Sequence, residues 1–196
     1  MALKTLVKVG CISNLSDARY CAGMHVDMLG FRVVAGQDHY VSPELFKELR
    51  GWFSGPSIVA EAYGIKKNED LAAIIQHYLP DFIEVSLQDL VKLHSPFSTF
   101  ILSTTYDELI SNEAAIAPFR VQISKIIVPG NTDKKTIDEL SRSYKVMLQV
   151  DSTTPAETFL DNTVIKGIAL QGTPEEKPGL KNYDQLSDIL EKLEID

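Results

Sequence analysis

The amino-acid sequence predicts an α/β fold in which eight short strands alternate with eight helical segments. The first indication is that the candidate strands are continuous apolar runs, a pattern typical of parallel strands that are covered on both faces. The second is that the segments between them place apolar residues at helical spacing. Such alternation builds either a (β/α)8 barrel or a doubly wound open sheet, and on its own it does not decide between the two.

The candidate strands are short and are distributed along the whole chain. Their spacing leaves room for brief connections, so we expect minimal loops and a single domain over residues 1–196. The strands are predicted at residues 6–11, 28–34, 57–63, 82–86, 99–104, 125–128, 146–150 and 164–169.

The candidate helices fill the intervening segments, and some carry clear start signals. Ser42 followed by Pro43 predicts a helix start, because serine caps a helix and proline fits its first position. Asp133 is predicted in the first turn of another helix, where the helix dipole favours a carboxylate. The helices are predicted at residues 16–24, 42–49, 68–79, 88–94, 107–119, 132–144, 154–160 and 182–193.

Composition and charge exclude several classes of function. A net charge of −8 repels a phosphate backbone, so nucleic acid is an unfavourable partner. No apolar run is long enough to span a bilayer, and the N-terminus carries no signal peptide. Cys11 and Cys21 are too few for a disulfide framework. We therefore expect a cytoplasmic protein with neither a nucleic-acid nor a membrane partner.

The N-terminal βαβ unit over residues 7–42 carries a family resemblance. Residues 7–18 are VKVGCISNLSDA, and residues 27–31 are DMLGF, followed by HYVS at residues 39–42. This segment resembles the start of phosphoribosylanthranilate isomerase, whose members begin V-K-I-C-G-I-T-N-L-E-D-A and continue with D-A-L-G-F and then S-P-R-Y-V-S.

A second region of similarity lies near the C-terminus. The family pattern G-V-D-V-S-S-G-V-E-S-S-P-G-V-K-D aligns with residues 167–182 without a gap. The matching positions are Gly167, Glu175, Pro178, Gly179 and Lys181. The middle of the chain is similar in element order alone. Because members of the family are single (β/α)8 barrels, the resemblance favours a compact TIM barrel over the open sheet.

The resemblance implies an Amadori rearrangement in tryptophan biosynthesis, which isomerises N-(5'-phosphoribosyl)anthranilate from an aldose to a ketose form. The reaction needs a general base for the proton on carbon 2 and a general acid for the ring oxygen. It also needs a phosphate cradle of backbone N–H groups after strands seven and eight. The family uses a strand-one cysteine as base, a strand-six aspartate as acid and an arginine after strand two to hold substrate.

The position of the family's cysteine is occupied here by Gly10, and a cysteine follows one residue later at Cys11. Since side chains alternate along a strand, Cys11 is expected to point into the helix layer as a small buried cysteine. A local bulge would instead turn it towards the barrel mouth, where it could serve as the base.

The positions of the family's acid and substrate arginine are also changed. Pro129 stands where the aspartate is expected, and proline has no proton to give. Asp133 lies farther along, at a predicted helix start. His39 replaces the arginine: imidazole can contact a carboxylate or phosphate when charged, but it lacks the planar fork of arginine. An exposed loop histidine is the alternative.

The phosphate cradle is altered in the same way. The glycines after strand seven become Val150 and Asp151, which obstruct and repel a phosphate. Gly172 and Thr173 keep a glycine and a hydroxyl after strand eight, so half of the cradle is retained there as a candidate binding site. Asp151 is also a candidate for substrate binding, and a loop in which it caps the backbone is the alternative interpretation.

Glu84 is the other candidate for chemistry, because it replaces an inward-facing glutamine of the family. Inward carboxylates near the C-terminal ends of barrel strands are candidates for catalysis. A Glu84–Lys8 ion pair inside the barrel is an equally good structural interpretation, because buried charges pair. A third possibility pairs Glu84 with His39.

Three hypotheses follow from these residues. The first is an isomerase with the inherited activity, the second a non-catalytic or regulatory barrel, and the third an enzyme for a different small phosphorylated substrate. Losing two catalytic groups, each worth about 10² to 10⁴ in rate, predicts a poor catalyst of the inherited reaction or none. We expect a small-molecule ligand, phosphorylated or not, no cofactor and no metal site. A monomer and a homodimer are both compatible with the sequence.

Overall fold

The structure is a computed structural model that describes residues 2–93, 99–160, 162–172 and 183–195. Its parallel strands pair in chain order, and the last pairs with the first to close a barrel, which confirms the (β/α)8 prediction. The strands are β1 (Leu6–Gly10), β2 (Met28–Arg32), β3 (Ser57–Glu61), β4 (Phe82–Ser86), β5 (Phe100–Ser103), β6 (Ile123–Pro129), β7 (Val146–Gln149) and β8 (Gly167–Gln171).

Helices connect the strands and cover the outside of the barrel. They are α1 (Leu15–Gly23), α2 (Pro43–Arg50), α3 (Asn68–Tyr78), α4 (Leu87–Leu90), α5 (Tyr106–Ser111), α6 (Glu113–Ile116), α7 (Lys134–Ser141), α8 (Glu157–Leu160) and α9 (Asp184–Leu193), with a 3-10 helix (Ala117–Phe119) after α6. Within the described ranges, none of these helices combines the length and the apolar character needed to cross a membrane.

The predicted helix starts at Ser42 and Asp133 are present. The Ser42 hydroxyl accepts the Leu45 N–H at the start of α2. The carboxylate of Asp133 accepts the Thr136 N–H at 3.0 Å and caps α7. Asp133 is therefore committed to the helix start, and this is the structural role expected for it.

The helix predicted over residues 107–119 is broken. A capping box between Thr105 and Glu108 starts α5, and Asn112 ends it. The Asn112 backbone is not helical, and its side-chain amide donates to the Glu108 carbonyl at 2.8 Å. Asparagine competes with the helix ladder in this way. The chain therefore makes two short helices and a 3-10 turn that contains Pro118.

The barrel interior is divided into an apolar part and a polar part. Six buried side chains from six strands form an apolar cluster, which we call the apolar floor: Met28, Val59, Ile101, Ile127, Met147 and Ala169. A larger apolar core lies between the barrel and its helices. The charged side chains of Lys8, Glu61 and Glu84 lie on the mouth side of the floor, towards the C-terminal ends of the strands, whereas Lys125 of β6 lies at the opposite end. In barrels of this kind, active sites form at the C-terminal ends of the strands.

Candidate functional site

Three strands bring a buried ion cluster together at the barrel mouth. Lys8 of β1 lies 2.6 Å from the Glu61 carboxylate of β3 and 2.6 Å from the Glu84 carboxylate of β4. The Tyr63 hydroxyl, just past β3, donates to Glu84. Lys8, Glu61 and Glu84 are each 3% exposed, so their charges are stable only because they are paired. The Glu84–Lys8 pair was one of the interpretations of the sequence, and it is present.

The environment of the cluster keeps Lys8 charged and raises the pKa values of Glu84 and Tyr63. Burial by itself would lower the pKa of Lys8, but the carboxylates of Glu61 and Glu84 outweigh it and hold that pKa above its usual range. Burial raises the pKa of Glu84, against the opposing effect of Lys8. Burial, and then Glu84 itself, raise the pKa of Tyr63. The Tyr63 phenol therefore stays protonated and can donate to Glu84.

Two glycines make room for Glu61. A Cβ atom built on either Gly10 or Gly30 would overlap the Glu61 Oε1 atom, and one on Gly10 would also lie 3.0 Å from the Lys8 Nζ. The Glu61 carboxylate therefore fills the space into which a side chain at position 10 would project.

Cys11 faces the mouth rather than the helix layer. It follows the last residue of β1 with left-handed backbone (φ 56°), which is uncommon for a residue other than glycine. Its N–H donates to Glu61 Oε2 at 3.1 Å, and its thiol interacts electrostatically with the Arg32 guanidinium. The prediction that strand alternation would carry Cys11 outward is wrong, because alternation stops with the strand at Gly10.

The surroundings of the Cys11 thiol keep it protonated. Burial raises the pKa of the Cys11 thiol, and Glu61 raises it further, while Arg32 acts in the opposite direction. The thiolate is the form of cysteine that acts as a base or nucleophile. Cys11 is therefore well placed for chemistry but weakly ionised in the free protein.

Arg32, the last residue of β2, is a mouth residue that sequence reasoning missed. Its guanidinium lies 5.6 Å from the Tyr63 ring centroid, and its Nε lies 3.8 Å from Glu61 Oε2. That buried Nε atom has no hydrogen-bond partner among the described residues. Strand alternation offered a signal, since Arg32 has the same parity as the inward-facing Gly30.

The remaining predicted binding residues do not join this cluster. His39 is an exposed residue in the turn after β2, with φ 60°, and Glu84 pairs with Lys8 instead. The Gly172 N–H donates to the Gly10 carbonyl at 2.8 Å, so this amide is used inside the fold. Thr173 lies outside the described residues.

Asp151 forms a self-contained turn after β7. Its carboxylate Oδ1 accepts hydrogen bonds from the N–H and hydroxyl groups of both Thr153 and Thr154, at 2.6 to 3.1 Å. These bonds, led by Thr153, lower the pKa of Asp151. This geometry is the capping loop that was the alternative interpretation, and it uses donors that would otherwise be free for a phosphate.

Fold and mouth together define a (β/α)8 barrel with a charged, largely buried site at the C-terminal ends of its strands. Within the described part of the chain, no group of three His, Cys, Asp or Glu side chains is placed to hold a metal ion. Pro129, which has no proton to donate, ends β6 at the mouth.

Solved structures of similar fold include several phosphoribosylanthranilate isomerases. One, in complex with reduced 1-(o-carboxyphenylamino)-1-deoxyribulose 5-phosphate, matches with a TM-score of 0.72 and 16% identity over 96% of this chain and 98% of that one. The enzyme from Thermus thermophilus matches with a TM-score of 0.72 and 14% identity over the same shares. Monomers generated from the dimeric enzyme of Thermotoga maritima match with a TM-score of 0.70 and 14% identity, again over 96% of this chain and 98% of that one.

These likenesses show a shared fold. No protein-family model matches the sequence, and no curated protein does.

Proposed function

We propose that this protein is a diverged homologue of phosphoribosylanthranilate isomerase that binds a small anionic ligand at its barrel mouth. We further propose that it does not catalyse the Amadori rearrangement at a useful rate. The shared fold and the sequence resemblance support the ancestry. The observation that carries the loss of activity is that the Glu61 carboxylate occupies the space of the family's base above Gly10.

The Glu61 carboxylate is a poor substitute for that base. Its Oε1 accepts a hydrogen bond from Lys8 at 2.6 Å, and its Oε2 accepts the Cys11 N–H. A carboxylate held in this way must give up a buried ion pair before it can take a proton from carbon. The acid is missing as well, because Pro129 cannot donate. Each absent group removes about 10² to 10⁴ of rate.

Arg32 supports the proposal that the mouth still binds an anion. A buried guanidinium nitrogen without a hydrogen-bond partner is costly unless a ligand supplies an acceptor. Arginine binds carboxylate and phosphate through two parallel hydrogen bonds. The ligand's anionic group would therefore sit on Arg32, at the open side of the buried ion cluster.

A retained isomerase with Cys11 as the base is the second candidate. The left-handed backbone at Cys11, which brings the thiol to the mouth beside Arg32, is the observation that favours it. The raised pKa of that thiol weighs against it, because little thiolate is present at neutral pH.

Complementation separates the two candidates. We expect that the protein, expressed in soluble and folded form, does not restore growth of a tryptophan auxotroph that lacks the isomerase. Growth that disappears with Cys11→Ala but persists with Cys21→Ala would establish the second candidate and contradict the proposed loss of activity. Cys21 is the matched control, because it is a fully buried cysteine of α1 that packs in the outer core.

Binding at the mouth can be measured independently of turnover. We expect the reduced carboxyphenylamino-deoxyribulose phosphate named above to bind in isothermal titration calorimetry, because it offers both a carboxylate and a phosphate to Arg32. The Arg32→Met variant should bind it about tenfold more weakly, which corresponds to the loss of one charged hydrogen-bonded contact. Arg19→Met, at an exposed site on α1, is the control. Equal affinity in the two variants would contradict the assignment of Arg32.

A further inference from the structure

A cavity lies at the N-terminal end of the barrel, opposite the mouth. Its volume is about 580 Å³, within the range of about 300–1,000 Å³ that small-molecule sites occupy. The first residues of four strands contribute to its wall, together with the segments that precede them. Its apolar lining includes Leu6, Val26, Met28, Pro56 and Phe82.

Lys125 of β6 supplies the positive charge of this cavity. The residue is 8% exposed, and its Nζ lies 4.0 Å from the centroid of the Phe82 ring. Its hydrogen-bonding contact is a long one, 3.4 Å to the Ser124 hydroxyl. Among the described residues no carboxylate lies within 4.0 Å of this ammonium, and the Asp27 carboxylate in the same wall accepts the Val7 N–H instead.

We propose that this cavity binds a small organic monoanion, an aryl or alkyl carboxylate, with its carboxylate on Lys125 and its apolar body against Met28 and Phe82. A buried ammonium is costly without a counter-charge, and the ring face of Phe82 satisfies one side of it while leaving N–H groups free for an acceptor. The wall that holds Lys125 also holds the Asp27 carboxylate, so the cavity suits one negative charge better than a doubly charged phosphate.

The lowered pKa of Lys125 agrees with this assignment. Burial, and then the nearby Lys145, lower the pKa of Lys125, so its charged form lacks stabilisation in the free protein. An anion placed on the ammonium would supply that stabilisation.

The site is separate from the barrel mouth. The apolar floor closes the barrel between them, and Lys8 and Lys125 make no contact across it in the described part of the chain. The inference therefore does not depend on the function proposed for the mouth.

Titration of the full-length, isotope-labelled protein with benzoate, followed by NMR, tests the proposal. We expect saturable shifts of the backbone amides of Ala22, Asp27 and Gly55, and none of comparable size at Cys11. Benzamide, which has the same shape without the charge, should produce much smaller shifts. Lys125→Met should weaken benzoate binding about tenfold or more, whereas Lys47→Met, at an exposed position of α2, and Arg32→Met should leave it unchanged.

Three results would overturn the assignment. They are an absence of saturable shifts at the N-terminal amides, equal binding of benzoate and benzamide, and unchanged benzoate affinity in folded Lys125→Met. Shifts centred on Cys11 that vanish in Arg32→Met would place the anion at the mouth instead. Should Lys125→Met fail to fold, the comparison of benzoate with benzamide on the unaltered protein decides the matter.

Discussion

Replacing Lys8 with methionine is expected to lower the free energy of unfolding by about 3–5 kcal/mol. Lys8 pairs with two carboxylates, Glu61 and Glu84, each 2.6 Å away. Methionine fills a similar volume but leaves the buried Glu84 carboxylate without a cation, and it leaves Glu61 with the more distant Arg32, whose Nε is 3.8 Å away. Urea unfolding at pH 8, compared with the unaltered protein, measures the loss. Lys47→Met, at an exposed position of α2, is the control and should stay close to the unaltered protein.

The stability lost in Lys8→Met should become smaller as the pH falls. Burial raises the pKa of Glu84, and without Lys8 the main opposing effect is gone, so this pKa stays above the unfolded value of about 4.3. The folded variant then binds protons more readily than its unfolded chain, so its stability rises as the pH is lowered towards that value. We expect a smaller difference from the unaltered protein at pH 5 than at pH 8. A loss that is the same at both pH values would show that the carboxylates do not carry the effect.

Replacing Gly10 with alanine is expected to cost about 1–3 kcal/mol, because the added methyl group overlaps the Glu61 carboxylate. The surroundings cannot easily relax, since moving Glu61 disturbs its contact with Lys8. Gly23→Ala is the matched control. A Cβ on Gly23, the last residue of α1, meets nothing within 4 Å, and alanine suits a helix better than glycine does.

A double-mutant cycle shows whether Glu61 is the cause. In the Glu61→Ala background the carboxylate is gone, so adding Gly10→Ala should cost at least about 1 kcal/mol less than it does alone. Lys8 keeps Glu84 as its partner in that background, so the cluster retains a pair. Additive costs would mean that backbone strain at Gly10, rather than the overlap, explains the loss.

The sequence predicted the framework well, because the framework depends on local patterns. All eight strands were placed by their continuous apolar runs, with ends wrong by a few residues. Closure into a barrel needed the family resemblance, since a barrel and an open sheet share the same alternation. The helix over residues 107–119 was wrong because Asn112 ends α5 with its own side chain, which a count of apolar residues does not detect.

The site was harder to predict because it depends on one backbone conformation and on contacts between distant strands. The family resemblance suggested Glu84 as an inward residue, the pairing of buried charges suggested Lys8 as its partner, and the two side chains do form an ion pair. Strand alternation was the basis of the prediction for Cys11. It failed at Cys11, since a left-handed residue after the strand cannot be recognised from its neighbours in the sequence. Strand alternation would have identified Arg32 as well, because it is the next inward position after Gly30. Glu61 fills space left by two glycines of other strands, Gly10 and Gly30, so its position can be recognised only in the folded barrel.

The overlap between position 10 and Glu61 also constrains the order in which substitutions can accumulate. A cysteine at position 10 would overlap the Glu61 carboxylate, so Glu61 must be moved or shortened first. That first step removes one of the two partners of Lys8 and brings no catalytic group in exchange. A route to a cysteine at position 10 therefore passes through a less stable intermediate, and selection for a base at that position cannot favour the first substitution.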